Sequence, residues 1–178
     1  MLNACFAGRT FSGSPARAAL LRTEDFDSKG TVTSRPGTGI SIFLYRVEVN
    51  GTMRAAWSAV GSQDGNLHLP LDLHYILSPW ATNAEDEHFI LGLAMQCLEA
   101  RPILRGPLLD PAAGWAPDEA VQLIAENLPG DALMRMFDSL PTNFRLSVGY
   151  VARVVRVDAP VTPPPTVTTM VTGMAPAG

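Results

Sequence analysis

Three polar side chains with the chemistry of metal ligands lie at even spacing in one segment of the chain. His68, Asp72 and His74 belong to residues 67–77, where leucines alternate with other residues. Because successive side chains of a β-strand point to opposite faces, the alternation predicts a strand with all three polar groups on one face. Imidazole and carboxylate groups in that arrangement suit a divalent metal.

Two interpretations of this triad stand side by side. In the first, it is the centre of a small metal-dependent enzyme. In the second, a half-exposed strand shows its polar residues to water. We favour the second, because a metal site also needs partners that orient its ligands and the surrounding sequence does not indicate them. We therefore predict no metal and no cofactor.

A second ionisable cluster, EDEH at residues 85–88, could supply a general acid and a general base. Catalytic carboxylates usually converge from separated segments, whereas consecutive residues of a helix fan around its axis. Negative charge is also favoured in the first turn of a helix. The cluster therefore indicates a helix that starts with Asn83 or Asp86 as its cap and runs to about Glu99.

The two cysteines, Cys5 and Cys97, are too few for a disulfide framework. Cys97 falls on the apolar stripe of the predicted helix, where a free cysteine behaves as a small hydrophobic residue. Cys5 lies in a glycine-containing start with nothing to activate a thiol. Nucleotide-binding loops, hydrolase elbows and H-E-x-x-H helices do not occur in the sequence. We predict no catalytic residue and a protein that is not an enzyme.

Composition limits the partners. The chain has 178 residues, which suits one domain, and its net charge of -4 argues against nucleic acid. Charged residues make up only 17%, against about 25% in ordinary domains, as expected if other subunits cover part of the surface. No apolar run approaches the ~20 residues of a membrane span. We expect a soluble, cytoplasmic protein without membrane insertion.

The remaining pattern predicts further strands and a second helix. Strands are predicted at residues 40–50 and 146–157, the latter with Arg153 and Arg156 on opposite faces. A helix is predicted after Pro129, and residues 101–117 are predicted as loop. Residues 120–128 suit a strand or a helix equally well.

The last twenty residues differ from the rest, because residues 159–178 carry no charge and contain three consecutive prolines. We predict an extended arm whose Thr/Val run at 166–172 adds a strand to a neighbour's sheet edge. A tail without a partner is the alternative. The predicted organisation is a flexible N-terminal segment at 1–15, one domain at 16–158 and this arm at 159–178.

Four segments follow one another in an order that resembles a known family: SIFLYRVEVN, LPLDLHYILSPWA, EDEHFILGLAMQCLEARPIL and LSVGYVARVVRV. The sequence resembles the cap or tail-terminator proteins of extracellular contractile injection systems, the phage-tail-like particles of the antifeeding prophage and Photorhabdus virulence cassette type. The resemblance covers about residues 20–158. Its most specific part is LDLHYILSPWA with the acidic helix start that follows.

The resemblance implies an α+β fold with a mixed, largely antiparallel sheet flanked by two main helices. It implies that residues 120–128 are a strand leading into a helix, and that another strand lies near residues 18–26. Members of the family usually begin with an amphipathic helix. The first residues here, MLNACFAGRTFSGS, are not predicted to form one.

The resemblance also implies a structural function. Such proteins form a homohexameric ring at the end of the particle distal to the baseplate, where they cap and terminate the inner tube and the sheath. The implied partners are other copies, the tube protein and the sheath protein. The implied location is the cytoplasm during assembly and the injection particle afterwards. An adaptor that recruits cargo or membrane to the particle is an alternative.

Interface residues are predicted from exposed aromatic, basic and arm positions. Tryptophan at a loop or an element end often anchors an interface, although covering the core beneath its own loop is the favoured alternative for any single tryptophan. The predicted protein-interface residues are Trp57, Arg101, Arg105, Trp115, Arg153, Arg156, Thr166, Val167 and Thr168.

Overall fold

The computed structural model describes residues 1–26, 35–58 and 67–158. The helices are α1 (Leu2–Phe6), α2 (Gly51–Arg54), α3 (Ala84–Glu99) and α4 (Gly130–Asp138). The strands are β1 (Thr10–Phe11), β2 (Ser14–Pro15), β3 (Arg17–Leu21), β4 (Gly39–Val49), β5 (His68–Trp80), β6 (Ile103–Arg105), β7 (Ala120–Glu126) and β8 (Val148–Asp158). In this part of the chain no helix has both the length and the apolar character needed to cross a bilayer.

One six-stranded sheet organises the fold. Its strand order is β3-β4-β5-β8-β7-β6. All neighbours are antiparallel except β3 and β4, which are parallel. The predicted α+β class with a mixed, largely antiparallel sheet is therefore confirmed, as is the assignment of residues 120–128 to a strand followed by a helix.

The predicted strands and the long helix lie where their patterns place them. Asn83 caps α3, since its side chain accepts a hydrogen bond from the backbone N–H of Asp86. The acidic cluster at residues 85–88 occupies the first turn of this helix, where the helix dipole favours negative charge.

Two β-bulges lie on either side of β5 at nearly the same level. Leu44 pairs with Tyr75 and Arg46 with His74, so that Tyr45 is an extra residue in β4. The extra residue shifts the alternation of side chains by one position, so even-numbered residues before the bulge share a face with odd-numbered residues after it. Apolar residues of β4 before and after the bulge therefore share one face of the sheet.

The second bulge corrects a prediction about β8. Leu73 pairs with Ala152 and Leu71 with Val155, which leaves two residues of β8 opposite one of β5. Because of this extra residue, Arg153 and Arg156 lie on the same face of the sheet and not on opposite faces. A regular strand would have separated them.

The apolar face of the sheet is partly covered by helices. Ile40, Leu77 and Tyr150 of the sheet pack against α1 and α3 in the main core, which also contains Ile90 and Ala94. On the other face, Leu21, Phe26 and Trp80 form a second cluster. At this end of the sheet, both faces are therefore covered by packed apolar side chains.

The structure of the N-terminus contradicts two predictions, namely that the first residues form no helix and that Cys97 is a free cysteine. Residues 2–6 do form a helix, α1, with Leu2 and Phe6 buried one turn apart. Cys5 and Cys97 form a disulfide that joins α1 to α3, so neither is a free cysteine. A five-residue helix shows too little periodicity to be detected, and a pairing over 92 residues depends on the folded chain.

The region predicted as loop at residues 101–117 contains a short strand, β6, and two 3-10 turns. Three residues are too few to show alternation, so the strand is defined by its pairing with β7. Leu109 and Trp115 from this region pack on Val121 and Ala152. The segment therefore covers a third part of the core.

Candidate functional site

Half of the sheet extends beyond the helices that cover its other half. We call residues 44–49 of β4, 68–73 of β5 and 154–158 of β8 the open half-sheet. Its apolar face has four large side chains that are 40–53% exposed, namely Leu44, Val47, Val49 and Val157. Exposed apolar groups that adjoin one another indicate an interaction surface more strongly than scattered ones.

An apolar groove continues this face toward the helices. It has a volume of about 470 Å³ and lies between α1, the end of α3 and the sheet. Tyr75, which pairs with Leu44, lines it together with Ile42 and the exposed Leu20. The groove and the apolar face of the open half-sheet are therefore one continuous surface.

The three residues weighed as metal ligands lie on the opposite, polar face of the sheet, His68 and Asp72 within the open half-sheet and His74 just beyond it, and each has its own partner. His68 Nδ1 lies 2.7 Å from Asp158 Oδ1. Both carboxylate oxygens of Asp72 accept hydrogen bonds from Asn50 Nδ2, at 3.0 and 3.1 Å. Such separate pairing does not gather ligands around a common point. Within the described ranges, no group of three His, Cys, Asp or Glu residues could hold a metal ion.

The third member of the triad, His74, belongs to a buried polar network. Its ring nitrogens lie 3.1 Å from Glu126 Oε2 and 3.3 Å from Glu48 Oε2. Tyr45, the bulged residue, donates a hydrogen bond of 2.9 Å to the same oxygen, Glu126 Oε2. Burial, reinforced by Glu126, raises the pKa of Tyr45 to about 12, so the phenol remains a donor at neutral pH.

The polar and apolar faces therefore differ in what they can offer a partner. Arg46 bonds to Glu126 and Glu48 at 3.3 Å each, which completes the internal pairing of the polar face. On the apolar face nothing in the described chain covers Val47 and Val49. Hydrophobic burial on association is available there, so this face is the candidate binding surface.

The two tryptophans predicted at the interface are half-buried. Trp57 meets the edge of the His68 ring, with ring centroids 6.5 Å apart. Trp115 packs on the third core cluster beneath its own loop. Both positions fit the alternative weighed for single tryptophans, in which each covers the core near its own segment.

The four predicted arginines occupy two places. Arg101 precedes β6 and Arg105 is its last residue; both line a shallow depression of about 520 Å³, and neither has an ion-pair partner among the described residues. Arg153 lies 3.8 Å from Asp72, and Arg156 lies 3.3 Å from Glu119. The other predicted residues, Thr166, Val167 and Thr168, lie outside the described residues.

The sequence interpretation did not single out Leu44, Val47 and Val49. A signal for them exists, because apolar residues fall at even positions from 40 to 44 and at odd positions from 47 to 49. Such a phase change within one strand is typical of a bulge. The sequence does not indicate that these side chains are exposed, because their exposure depends on where α1 and α3 end in the folded chain.

Comparisons with known proteins agree with this architecture. The sequence model of a family described as the Pvc16 N-terminal domain matches residues 12–169. No curated protein sequence is significantly similar to the chain.

Two solved structures have a similar fold. One is the PVC sheath/tube terminator of an extracellular contractile injection system in its extended state, with a TM-score of 0.57, 17% identity, and coverage of 99% of this chain and 62% of that one. The other is the tube-terminating cap of the anti-feeding prophage, with a TM-score of 0.56, 15% identity, and coverage of 99% and 58%. The chain thus spans less than two thirds of the length of each.

Proposed function

The chain belongs to the Pvc16 N-terminal domain family, and from this membership we propose that it caps and terminates the inner tube and sheath of a contractile, phage-tail-like injection particle. The observation that carries the proposal is the shared fold with a sheath/tube terminator and with a tube-terminating cap. The exposed apolar face of the open half-sheet supplies the binding surface that such a role needs.

A tube built from identical rings always ends in a ring with unsatisfied contacts. A terminator must match that end on one side and leave nothing on its other side for a further ring to bind. The two faces of the open half-sheet suit this asymmetry, because one exposes apolar side chains at Val47, Val49 and Val157 while charged groups on the other pair within the chain. The work is binding, and we propose no catalytic role.

We propose that the capping unit is a homohexameric ring at the end distal to the baseplate, in contact with tube and sheath protein. Assembly in the cytoplasm and later presence in the particle follow from that role. Trp57, Trp115, Arg153 and Arg156 lie near or beneath the open half-sheet and the loop beside it. We propose contacts with partners at their exposed parts, and further contacts through the arm at Thr166, Val167 and Thr168.

Deleting the gene tests the proposal directly. Particles assembled without the protein should have overlong or ragged tubes and sheaths when imaged by electron microscopy, and the intact gene should restore a uniform length. Particles of normal length with normal ends would contradict a capping role. They would favour the alternative in which the protein recruits cargo or membrane.

Placing charge on the apolar face should weaken capping without unfolding the protein. We expect Val47→Asp combined with Val49→Asp to weaken binding to tube ends by at least about tenfold, because a carboxylate is poorly tolerated in a dry interface. Both side chains are about half exposed, so the melting temperature should change little. Binding is measured by pelleting with assembled tubes.

Met134→Asp is the matched control, since Met134 is also an exposed apolar residue but lies on α4. It should leave binding to tube ends unchanged. Equal loss in both variants, or wild-type binding of the double variant, would contradict the assignment of the apolar face.

Removing residues 160–178 should weaken assembly but leave the fold intact. Residues 159–178 carry no charge and contain three consecutive prolines, a composition that does not supply a packed core, so we expect thermal unfolding followed by circular dichroism to be unchanged. The truncated protein should pellet less with tubes than the full chain. A lower melting temperature of the truncated protein would show that the arm belongs to the folded domain.

A further inference from the structure

The sheet has an unpaired edge on β4. The parallel strand β3 pairs with β4 only from Gly39 to Phe43. Among the described residues, no strand pairs with the outer side of residues 44–49, and all of these residues except Tyr45 are exposed. An exposed edge with an apolar face is a template for another strand.

A second unpaired edge lies on the opposite side of the sheet. Strand β6 pairs with β7 and with no other strand of the described chain. It is exposed at Ile103 and Arg105 and half-buried at Leu104. Each molecule therefore offers two different free edges, one on β4 and one on β6.

The two edges lie at the same level of the sheet. Val47 pairs with Leu73, Leu73 with Ala152, and Ala152 with Leu123. The backbone N–H of Leu123 in turn donates to the carbonyl of Pro102, the residue just before β6. The short strand β6 is thus level with the end of β4.

The two edge strands also run in the same direction. Four successive antiparallel pairings lead from β4 through β5, β8 and β7 to β6. An even number of reversals makes β6 parallel to β4. A second copy placed beside the first by rotation about an axis along the strands can therefore extend the sheet with a parallel pair, as β3 already does within one chain.

We propose that neighbouring copies in the ring join edge to edge, with β6 of one copy pairing in parallel with residues 44–49 of β4 in the next. This inference rests on the proposed function, which requires a ring. Because two different edges meet, the contact is heterologous, and its repetition gives a ring where the rotation closes, and not a two-fold dimer.

One register satisfies side chains on both faces. When Arg105 of one copy lies opposite Glu48 of the next, Leu104 lies opposite Val47. This register shifts β6 by two residues along the strands from the level at which Pro102 matches Val47. Leu104 and Val47 both belong to the apolar face. Glu48 pairs with Arg46 and His74 within its own chain but is half exposed, so it can also accept from a neighbour, and Arg105 has no ion-pair partner among the described residues. The edges of β4 and β6 thus match each other in strand direction, in the side on which apolar residues lie and in charge. Because both edges belong to the same chain, we infer that a second copy occupies each of them.

Mixed cysteine cross-linking tests the pairing. Paired positions of neighbouring strands are close enough for a disulfide, so a mixture of Val47→Cys and Leu104→Cys proteins should give cross-linked dimers on non-reducing gels. Neither variant alone should do so. Cross-linking of Val47→Cys alone would show a two-fold contact and overturn the proposal. The native disulfide does not interfere, since both native cysteines are already paired.

Charge exchange provides an independent test. We expect Glu48→Arg and Arg105→Glu each to weaken self-association by about tenfold or more, and the double variant to recover most of it. Self-association is measured by analytical ultracentrifugation after circular dichroism confirms folding. Asp138→Arg is the control, because Asp138 is an exposed acid on α4, away from both edges. Losses that add in the double variant would contradict the pairing.

The outcomes separate this inference from the capping role. A ring that binds tube ends but gives no cross-link in the mixture would overturn the edge pairing and leave the capping role in place. A cross-linked ring that ignores tube ends would support the edge pairing and contradict capping.

Discussion

Replacing Trp80 with alanine is expected to lower the free energy of unfolding by about 3–5 kcal/mol, the usual range for a buried tryptophan. Trp80 is 8% exposed at the end of β5. Two guanidinium groups lie over its indole, with the Arg145 Cζ 3.9 Å and the Arg35 Cζ 4.9 Å from ring centroids. The indole N–H donates a 2.8 Å hydrogen bond to Ser41 Oγ. The alanine variant loses all of these contacts.

The position of Arg145 adds to the effect. Its guanidinium donates a hydrogen bond of 2.6 Å to Glu87 and one of 3.1 Å to the carbonyl of Pro79. Burial lowers the pKa of Arg145, although the group remains charged at neutral pH. Without the indole, this half-buried charge would border a cavity. Cation–π contact is therefore lost together with apolar packing.

Two variants make the result specific, and urea denaturation followed by circular dichroism measures all three. Trp80→Phe keeps an aromatic ring but removes the donor to Ser41, so we expect a loss of about 1–2 kcal/mol. Trp57→Ala removes a tryptophan that is only half-buried and should cost clearly less than Trp80→Ala. A loss below about 0.5 kcal/mol for Trp80→Ala would mean that the side chain faces solvent.

Removing the disulfide should destabilise the oxidised protein by about 2–4 kcal/mol, because the bond restricts the unfolded chain across a long loop. The bond ties α1 to α3, and the separation of its cysteines is 92 residues. Cys97 is buried next to Ile90 and Ala94 in the main core, so alanine is the substitution that keeps the site apolar. The variant to measure is Cys5→Ala combined with Cys97→Ala.

The control for this variant is the native sequence with and without reductant. Reduced native protein and the double variant should unfold at similar urea concentrations, and oxidised native protein at a higher one. Addition of reductant should have no effect on the double variant. An unfolding curve of the native protein that does not respond to reductant would show that the two thiols are not bonded in solution.

Long periodic segments were accessible from the sequence alone. The leucine alternation of β5 and the capped, acidic start of α3 both indicate their elements through local physics, and the structure has them at those residues. The ambiguous segment that forms β7 could be assigned only through the family resemblance. Its periodicity suits two structures, and pairing with β8 decides between them.

Short elements and contacts between distant parts of the chain could not be predicted from the sequence. Helix α1 has five residues, and β6 has three. Both are stabilised by contacts with distant parts of the chain, such as the bond from the Ala18 N–H to Asn3 Oδ1. Local propensity carries little information about elements of that kind. The disulfide falls in the same class, because its partners meet only in the folded protein.

The candidate site was not predicted from the sequence. Arg101 and Arg105 were predicted as interface residues, and that stays a prediction; Arg101 precedes β6 and Arg105 is its last residue. The apolar face at Val47 and Val49 was missed, because the strand pattern predicts an apolar side but not whether a helix covers it. The predicted opposition of Arg153 and Arg156 failed for a related reason, since a one-residue bulge reverses the alternation.

The paired bulges in β4 and β8 also determine curvature. A bulge bends its strand and increases the local twist, and these two flank β5 at nearly the same level, so the sheet curls along a line between them. Where sheets of successive subunits join side by side, the bend of each one sets the radius of the closed circle. In the ring that we propose, two inserted residues per chain thereby contribute to the width of the bore, and hence to the diameter of the cylinder that such a collar fits.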